Sequence, residues 1–267
     1  MHKPHNNAQP KPLLQAQNIS MQYGDFIALS EVSLQVGGQE IVSIVGPNGA
    51  GKTTLVNTLT GLFTPTTGKV LFLGRDLATT NVVSLSTLGL ARSFQLVNIF
   101  PDLTVRETLS VASSSQQGLA WQLLRNFRSY AKLNTNVEEV AKAFQLESVL
   151  DTQSSSLPHG KRKLLDVASA LTLRPKILLL DEPTAGVATA DKYHIMDTLL
   201  EAARKMGVEA IMLVEHDMDL VARYSTRIVA MQAGKKIADS GVAGFFQNEE
   251  ALAIVVGQTR KDELHVS

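Results

Sequence analysis

The run Gly46-Pro47-Asn48-Gly49-Ala50-Gly51-Lys52-Thr53-Thr54 joins three glycines to a lysine and two hydroxyl side chains. It fits the spacing GxxxxGK[ST], directly after an apolar, β-branched stretch and at the opening of a helical one, which is the context that gives the spacing its meaning. Gly46, Gly49 and Gly51 let the backbone curl until successive N–H groups converge on phosphate oxygens. The helix that follows adds its positive N-terminal end. Lys52 then offers a point charge to the outer phosphates of a nucleotide, and the Thr53 hydroxyl is placed to ligate Mg2+. A second segment, Ile177-Leu178-Leu179-Leu180-Asp181-Glu182-Pro183, ends an apolar run in two carboxylates and a proline. Such an ending is also common at solvated turns. Beside a phosphate loop it means more: on a neighbouring strand, Asp181 can hold the Mg2+ shell. Glu182, one residue on, points elsewhere and can accept a proton from, or orient, an attacking water.

These groups need a rigid frame. From Ala28 to Val36 apolar and polar residues largely alternate, the period of a half-buried strand, and Gly37-Gly38 makes a turn. Ile41–Val45, Ile177–Leu180, Ile211–Val214 and Arg227–Met231 are short, mostly apolar runs that suit strands buried on both faces of a parallel sheet. Helical patterns separate them at Thr54–Leu62, at Lys163–Leu173 before Pro175, and at Asp191–Met206 before Gly207. Alternating strands and helices predict an α/β fold with a parallel sheet. Between Thr104 and Leu150, Trp121, Leu123, Leu124, Phe127, Tyr130, Val137, Val140, Ala141 and Phe144 recur at helical spacing. That stretch reads as a helical insertion, with polar breaks at 113–117 and 154–156 where lobes could hinge.

Composition narrows the partners. The 267 residues carry 25 Lys plus Arg and 25 Asp plus Glu, so a general polyanion binder is not expected and no nucleic-acid partner is predicted. With 0 cysteines there is no disulfide framework, thiolate metal site or Cys nucleophile, as expected in a reducing compartment. Residues 1–12 are polar and Pro-rich and read as a flexible tail without a secretory signal. The longest apolar runs fall far short of the roughly 18 to 20 residues that a membrane helix needs. The KDEL at 261–264 is followed by His265-Val266-Ser267, and that retention signal is read only at the extreme C-terminus.

With these motifs in this order, the chain resembles the ATP-binding cassette (ABC) family from about Leu14 to Gly241. The resemblance implies a P-loop NTPase (RecA-like) parallel-sheet core with an N-terminal antiparallel β subdomain and a helical insertion. It implies an ATPase domain over about residues 13–258, a helical subdomain inserted at about 96–165, and a C-terminal tail at 259–267. ATP and Mg2+ are the cofactors it implies. The phosphate-loop residues Gly46, Pro47, Asn48, Gly49, Ala50, Gly51, Lys52, Thr53 and Thr54 would bind nucleotide, Thr53 and Asp181 metal, and Glu182, His216 and Lys52 would act in catalysis. Gln95 in ARSFQ looks like the family's Q-loop, sensing Mg2+ and touching the membrane partner, and Tyr23 in MQYGDF looks like the aromatic that stacks on adenine. His216 in LVEHDM looks like the switch histidine, which contacts the terminal phosphate and steadies Glu182.

Leu157-Pro158-His159-Gly160-Lys161 stands where the family carries the signature LSGGQ, which reaches across a dimer to the partner's nucleotide. Pro158, His159 and Lys161 depart from it, which removes a hydroxyl ligand. Either the site is weakened, or backbone N–H groups at the helix N-terminus still bind the anion, and the second reading is favoured. Ala188 likewise replaces the usual Asp or Asn of the D-loop. RSFQ, LTVRETL, the long insertion and VEHDM resemble the branch that imports branched-chain amino acids, urea and short amides. The same resemblance implies a cytoplasmic subunit, peripheral on the inner membrane. It would work with separate permease subunits, a second identical or paralogous ATPase subunit and, indirectly, a solute-binding protein. Two rivals are a soluble ABC ATPase acting on DNA or ribosomes and a non-catalytic regulatory cassette. The single cassette without sustained heptads argues against the first, and retention of Lys52, Asp181, Glu182 and His216 against the second.

Overall fold

A computed structural model describes residues 11–80, 85, 88–93, 100–116 and 131–264, with the side chains at 115, 116, 131–134 and 258–264 excepted. In chain order its strands and α-helices are β1 (Leu14–Tyr23), β2 (Phe26–Val36), β3 (Ile41–Val45), α1 (Lys52–Leu59), β4 (Thr67–Phe72), β5 (Arg75–Asp76), β6 (Leu90–Arg92), α2 (Val105–Gln116), α3 (Ala131–Ala143), α4 (His159–Leu171), β7 (Ile177–Asp181), α5 (Thr189–Lys205), β8 (Ala210–Val214), α6 (Met218–Tyr224), β9 (Arg227–Gln232), β10 (Lys235–Gly241), α7 (Val242–Gln247) and α8 (Glu249–Leu264). Two sheets result: a four-stranded antiparallel one ordered β2-β1-β4-β5, and a six-stranded one ordered β10-β9-β3-β8-β7-β6.

The short apolar runs are strands because both of their faces are covered. Along β7, Ile177 and Leu179 face a cluster with Val42, Ile44, Leu55 and Leu59, whereas Leu178 and Leu180 face one with Leu165, Ala168 and Leu199. β8 divides in the same way, Met212 and Val214 to the first cluster and Ile211 and Leu213 to the second. A period of two with two apolar layers leaves no polar position in Ile177–Leu180 or in β8, hence their unbroken apolar runs; in β3 the buried Ser43 hydroxyl is satisfied by that of Ser225 at 2.6 Å. The first cluster also takes Leu14, Ile19 and Leu34, so it joins the two sheets across α1. Each fully buried side chain of this size stabilises the fold by about 1.5–3 kcal/mol.

Two expectations change here. The large sheet is not wholly parallel, because β10 pairs antiparallel with β9 through a two-residue connection, Ala233-Gly234. So short a link can only make a hairpin. The acidic strand β7 is also not a neighbour of β3, since β8 lies between them and pairs parallel with both.

Within the insertion, α2 opens on a capping box in which the Thr104 N–H donates to Glu107 Oε2 at 2.9 Å and the Glu107 N–H to Thr104 Oγ1 at 3.2 Å. Val137, Val140, Ala141 and Phe144 are wholly buried at the helical spacing read from the sequence. Trp121, Leu123, Leu124, Phe127 and Tyr130 lie outside the described residues. Helix α4 starts at His159, four residues before the predicted Lys163, and runs past residue 165, where the inserted subdomain was expected to end. Helix α8 continues to Leu264, beyond residue 259, where a tail was expected to begin. Among the described residues no helix is long and apolar enough to cross a membrane.

Candidate functional site

The loop after β3 is shaped by what approaches it. Gly46 has φ 148°, and a Cβ there would sit 2.2 Å from the Met231 carbonyl oxygen in β9, so only glycine lets the loop lie against that strand. Gly51, at φ 95°, caps the start of α1, and a Cβ on it would meet the Ala28 carbonyl at 2.7 Å. The Gly234 N–H holds the loop from outside through Ala50 O at 3.0 Å. Helix α1 begins with no side-chain cap and no acid in its first turn, so its own opening residues supply no anion for the positive end of its dipole. Lys52 is buried at 7% exposure, and its Nζ donates to the carbonyls of Gly46 at 2.7 Å and Pro47 at 3.0 Å. Carbonyl dipoles offset the cost of burying the ammonium, and the loop is wrapped around a fixed positive charge.

The carboxylates stand at the end of β7. Asp181 accepts from Arg92 on β6 at 2.6 Å, and the same guanidinium donates to Asn57 Oδ1 of α1 at 2.5 Å. Glu182 holds φ 47°, a conformation that costs a non-glycine residue of order 1–3 kcal/mol. Its N–H donates to Val214 O at 3.0 Å, and the turn that follows closes with Ala185 N to Glu182 O at 3.1 Å. Because β8 adjoins β7, His216 just past its end meets Glu182, with Nε2 and Oε1 2.8 Å apart.

On either side of His216 stand two further acids. Glu215 is 5% exposed, and burial pushes its carboxyl above the ordinary 4.5, although the Thr184 hydroxyl and the N–H groups of His216 and Asp217 donate to it. Asp217 caps α6 and pairs with Lys192 of α5 at 2.8 Å. Burial works against its charge, but Lys192 and the N–H groups of Leu220 and Asp219 hold it below the ordinary 3.8.

A cavity of about 250 Å3 is lined by residues 48–54 of the loop together with Phe26, Ala28, Asp181, Glu182, Val214 and His216. A second, of about 430 Å3, lies against Arg92, Lys163 and Asp166, and shares Thr53, Asp181 and Glu182 with the first. The structure thus gathers the glycine loop, Lys52, Thr53, Thr54, Asp181, Glu182 and His216. The intervening β8 is no obstacle, because it brings His216 into the space between loop and acids.

Tyr23 is not part of the loop cavity's lining. Its ring meets Phe63 edge-on, with centroids 6.3 Å apart, while Phe26, three residues on and 66% exposed, lines the cavity instead. Leu157, Pro158, His159, Gly160 and Lys161 do not line it either. Leu157 is buried, and the His159 ring rests on the following segment, its Cε1 3.0 Å from where a Cβ on Gly186 would be. Gln95 lies outside the described residues. Arg92, Phe26 and Glu215 were not singled out from the sequence. The only signals for them were an arginine inside ARSFQ, an aromatic beside Tyr23 and an acid inside LVEHDM.

A family model described as ABC transporter matches residues 29–185. The chain is similar to the high-affinity branched-chain amino acid transport ATP-binding protein LivG of Escherichia coli (strain K12), at 33% identity over 253 residues, 93% of this chain and 99% of the relative. It is similar also to the corresponding protein BraF of Pseudomonas aeruginosa, at 30% identity over 254 residues, 93% and 99% of the two chains. Among solved structures, an ATP-binding cassette of an ABC transporter superposes with a TM-score of 0.81 at 27% identity, covering 91% of this chain and 98% of that one.

Proposed function

This chain belongs to the ABC transporter family and is an ATPase of that family, and from that premise we propose that it powers an importer, coupling ATP-driven closure of two ATPase subunits to solute uptake through separate membrane subunits. The observation that carries the catalytic reading is the 2.8 Å contact between His216 and Glu182, facing the cavity that the glycine loop and Lys52 enclose. In this reading the loop N–H groups, the α1 dipole and Lys52 hold the phosphates of ATP. Tyr23 and Phe26, both exposed at the β1–β2 turn, offer ring faces to adenine.

Mg2+ favours octahedral oxygen sites built from one or two carboxylates, a hydroxyl and phosphates. The Thr53 hydroxyl and Asp181 carboxylate line one cavity and fit that donor set, with Gln95 the further residue assigned to sensing the metal. When bound, the ion neutralises charge on the outer phosphates. Glu182 orients the attacking water and takes its proton, and His216 holds Glu182 in place and reaches the terminal phosphate.

The segment Leu157-Pro158-His159-Gly160-Lys161 stays out of its own chain's loop cavity, so we assign it to the nucleotide held by a second copy or a paralogue. Its contribution is the N-terminal turn of α4, whose backbone N–H groups stand in for the missing serine hydroxyl. The names of LivG and BraF support branched-chain amino acids as the solute, with urea, short amides or other amino acids as the alternative. The subunit would then sit on the cytoplasmic face of the membrane, with a solute-binding protein serving the other side.

Glu182→Gln tests the chemistry. ATP binding should survive, an ATP-dependent dimer should accumulate, and turnover should fall by about 100- to 10,000-fold. Full turnover in that variant would remove Glu182 from its role. Stimulation of ATP hydrolysis by leucine, urea or acetamide in the assembled transporter would identify the solute.

A further inference from the structure

The segments on the two sides of the reacting centre are stitched together in step. Val214 O accepts from Glu182 N at 3.0 Å, Glu215 Oε1 from Thr184 Oγ1 at 3.1 Å, and Asp217 Oδ2 from Lys192 Nζ at 2.8 Å. The His216–Glu182 contact, also 2.8 Å, is the side-chain tie in this series whose two residues both line the cavity. Every residue from 214 to 217 is therefore fastened to the segment that begins at Glu182.

Glu215 is the member that the chemistry leaves unexplained. A carboxyl only 5% exposed is rare and costly in a core, and a hydrophobic side chain would fill the space without that cost. Its three donors come from two chain segments: the Thr184 hydroxyl two residues after Glu182, and the N–H groups of His216 and Asp217. No apolar residue could join them. On the far side of His216, Asp217 is fixed by Lys192 and by the first N–H groups of α6. The peptides flanking the histidine are thus both anchored, so the imidazole approaches Glu182 with little freedom beyond its own two torsions.

We propose that Glu215 is a positioning residue that locks the switch histidine to the segment carrying Glu182, and that the Lys192–Asp217 ion pair completes the lock from the other side. The inference rests on reading Glu182 and His216 as the catalytic pair. It gives the dimer-facing segment 185–190 a physical route to His216, because that segment runs from Thr184 to the first turn of α5, which carries Lys192, and both of its ends are tied to residues beside the histidine. Ala188, which lacks the polar side chain usual at its position, need not carry that communication itself.

The test is a set of variants in the full chain with its membrane subunits, reading kcat and KM for ATP hydrolysis, affinity for a fluorescent ATP analogue and the melting temperature. Glu215→Ala should lower kcat by about 10- to 100-fold with KM within about threefold, since misplacement of a reacting group by about 1 Å has this effect. Glu215→Gln should recover most of the rate, because its carbonyl can accept from the backbone N–H groups while its amide donates to a rotated Thr184 hydroxyl. Thr184→Val keeps the volume, removes one tie and should give a smaller fall, which guards against loss of folding in the alanine variant. The deciding measurement is Glu215→Ala in a His216→Ala background, where kcat should change by less than about twofold if Glu215 acts through the histidine. A full additive loss there, or unchanged kcat in Glu215→Ala alone, overturns the proposal. If His216→Ala itself turns over normally, the reading of the catalytic pair fails first and takes this inference with it.

Discussion

Replacing Gly46 by alanine should be far more harmful than replacing Gly49, three residues away on the same loop. Both have positive φ, 148° and 77°, so both variants force an L residue into sparsely populated backbone space. Both also shrink the unfolded ensemble alike, a stabilisation of about 0.4–1 kcal/mol that cancels in the comparison. The difference is what the new methyl meets. At Gly49 there is nothing within 4 Å, whereas at Gly46 the Met231 carbonyl oxygen stands at 2.2 Å, and reaching even 3.0 Å requires a displacement of at least 0.8 Å. The loop cannot give way cheaply, because Ala50 is bonded to Gly234 at 3.0 Å and Lys52 to the carbonyls of residues 46 and 47. Backbone strain and overpacking together should cost about 3–5 kcal/mol at Gly46, against about 1 kcal/mol at Gly49. At roughly 2 °C per kcal/mol for a chain of this size, Gly46→Ala should melt about 6–10 °C below the native protein and Gly49→Ala about 2 °C below. Calorimetry reads the stability, and titration with a fluorescent ATP analogue should show more than a tenfold loss of affinity for Gly46→Ala. Equal melting shifts in the two variants would refute the idea that contact with β9 shapes the loop.

The site carries other expected outcomes. Phe26→Ala should weaken binding of the ATP analogue about three- to tenfold, the worth of one aromatic contact, and Tyr23→Ala no more than that, because its ring is engaged by Phe63. Arg92→Met strips Asp181 of its partner and should lower stability by about 1–2 kcal/mol, and Asp181→Asn in that background should restore part of it, as a double-mutant cycle of melting temperatures would measure. The folded state holds the Glu215 proton above the ordinary 4.5, while the unfolded chain releases it there, so stability from this group is lost as pH rises from about 4.5 through the folded value. Glu215→Gln lacks that slope, so its melting temperature relative to the native protein should climb as pH rises above about 4.5.

The phosphate loop and the acidic strand were legible because their chemistry is local. Residues 46–54 need only a strand before them and a helix after, and Ile41–Val45 ends where its apolar run does. The insertion's inward face was legible for the same reason, since Val137, Val140 and Phe144 repeat along one helix. What escaped was whatever depends on distant pairing. Arg92 meets Asp181 across 89 residues, and nothing near ARSFQ says which carboxylate it will find. The order of strands in the large sheet escaped too, because hydrophobic pattern fixes which faces are buried and says nothing of which strand lies beside which. Phe26 and Tyr23 flank one turn, and only the direction of the hairpin decides which ring reaches the loop cavity. The start of α4 is hidden in the sequence because Pro158 and Gly160 disfavour a helix interior, yet proline is tolerated where a helix begins.

The strand that separates the glycine loop from the acids works as a gauge block. Neighbouring strands lie about 4.8 Å apart, so β3 and β7, with β8 between them, are held about 9.6 Å apart by backbone hydrogen bonds alone. No side-chain substitution can change that interval. Selection for rate or for substrate can only work within it, by altering how far a side chain reaches from either edge: an aspartate at 181, a glutamate at 182, a histidine just past the end of the spacer. Shortening Glu182 to aspartate draws its carboxylate back by one methylene, so Glu182→Asp should lose turnover while keeping both charge and fold.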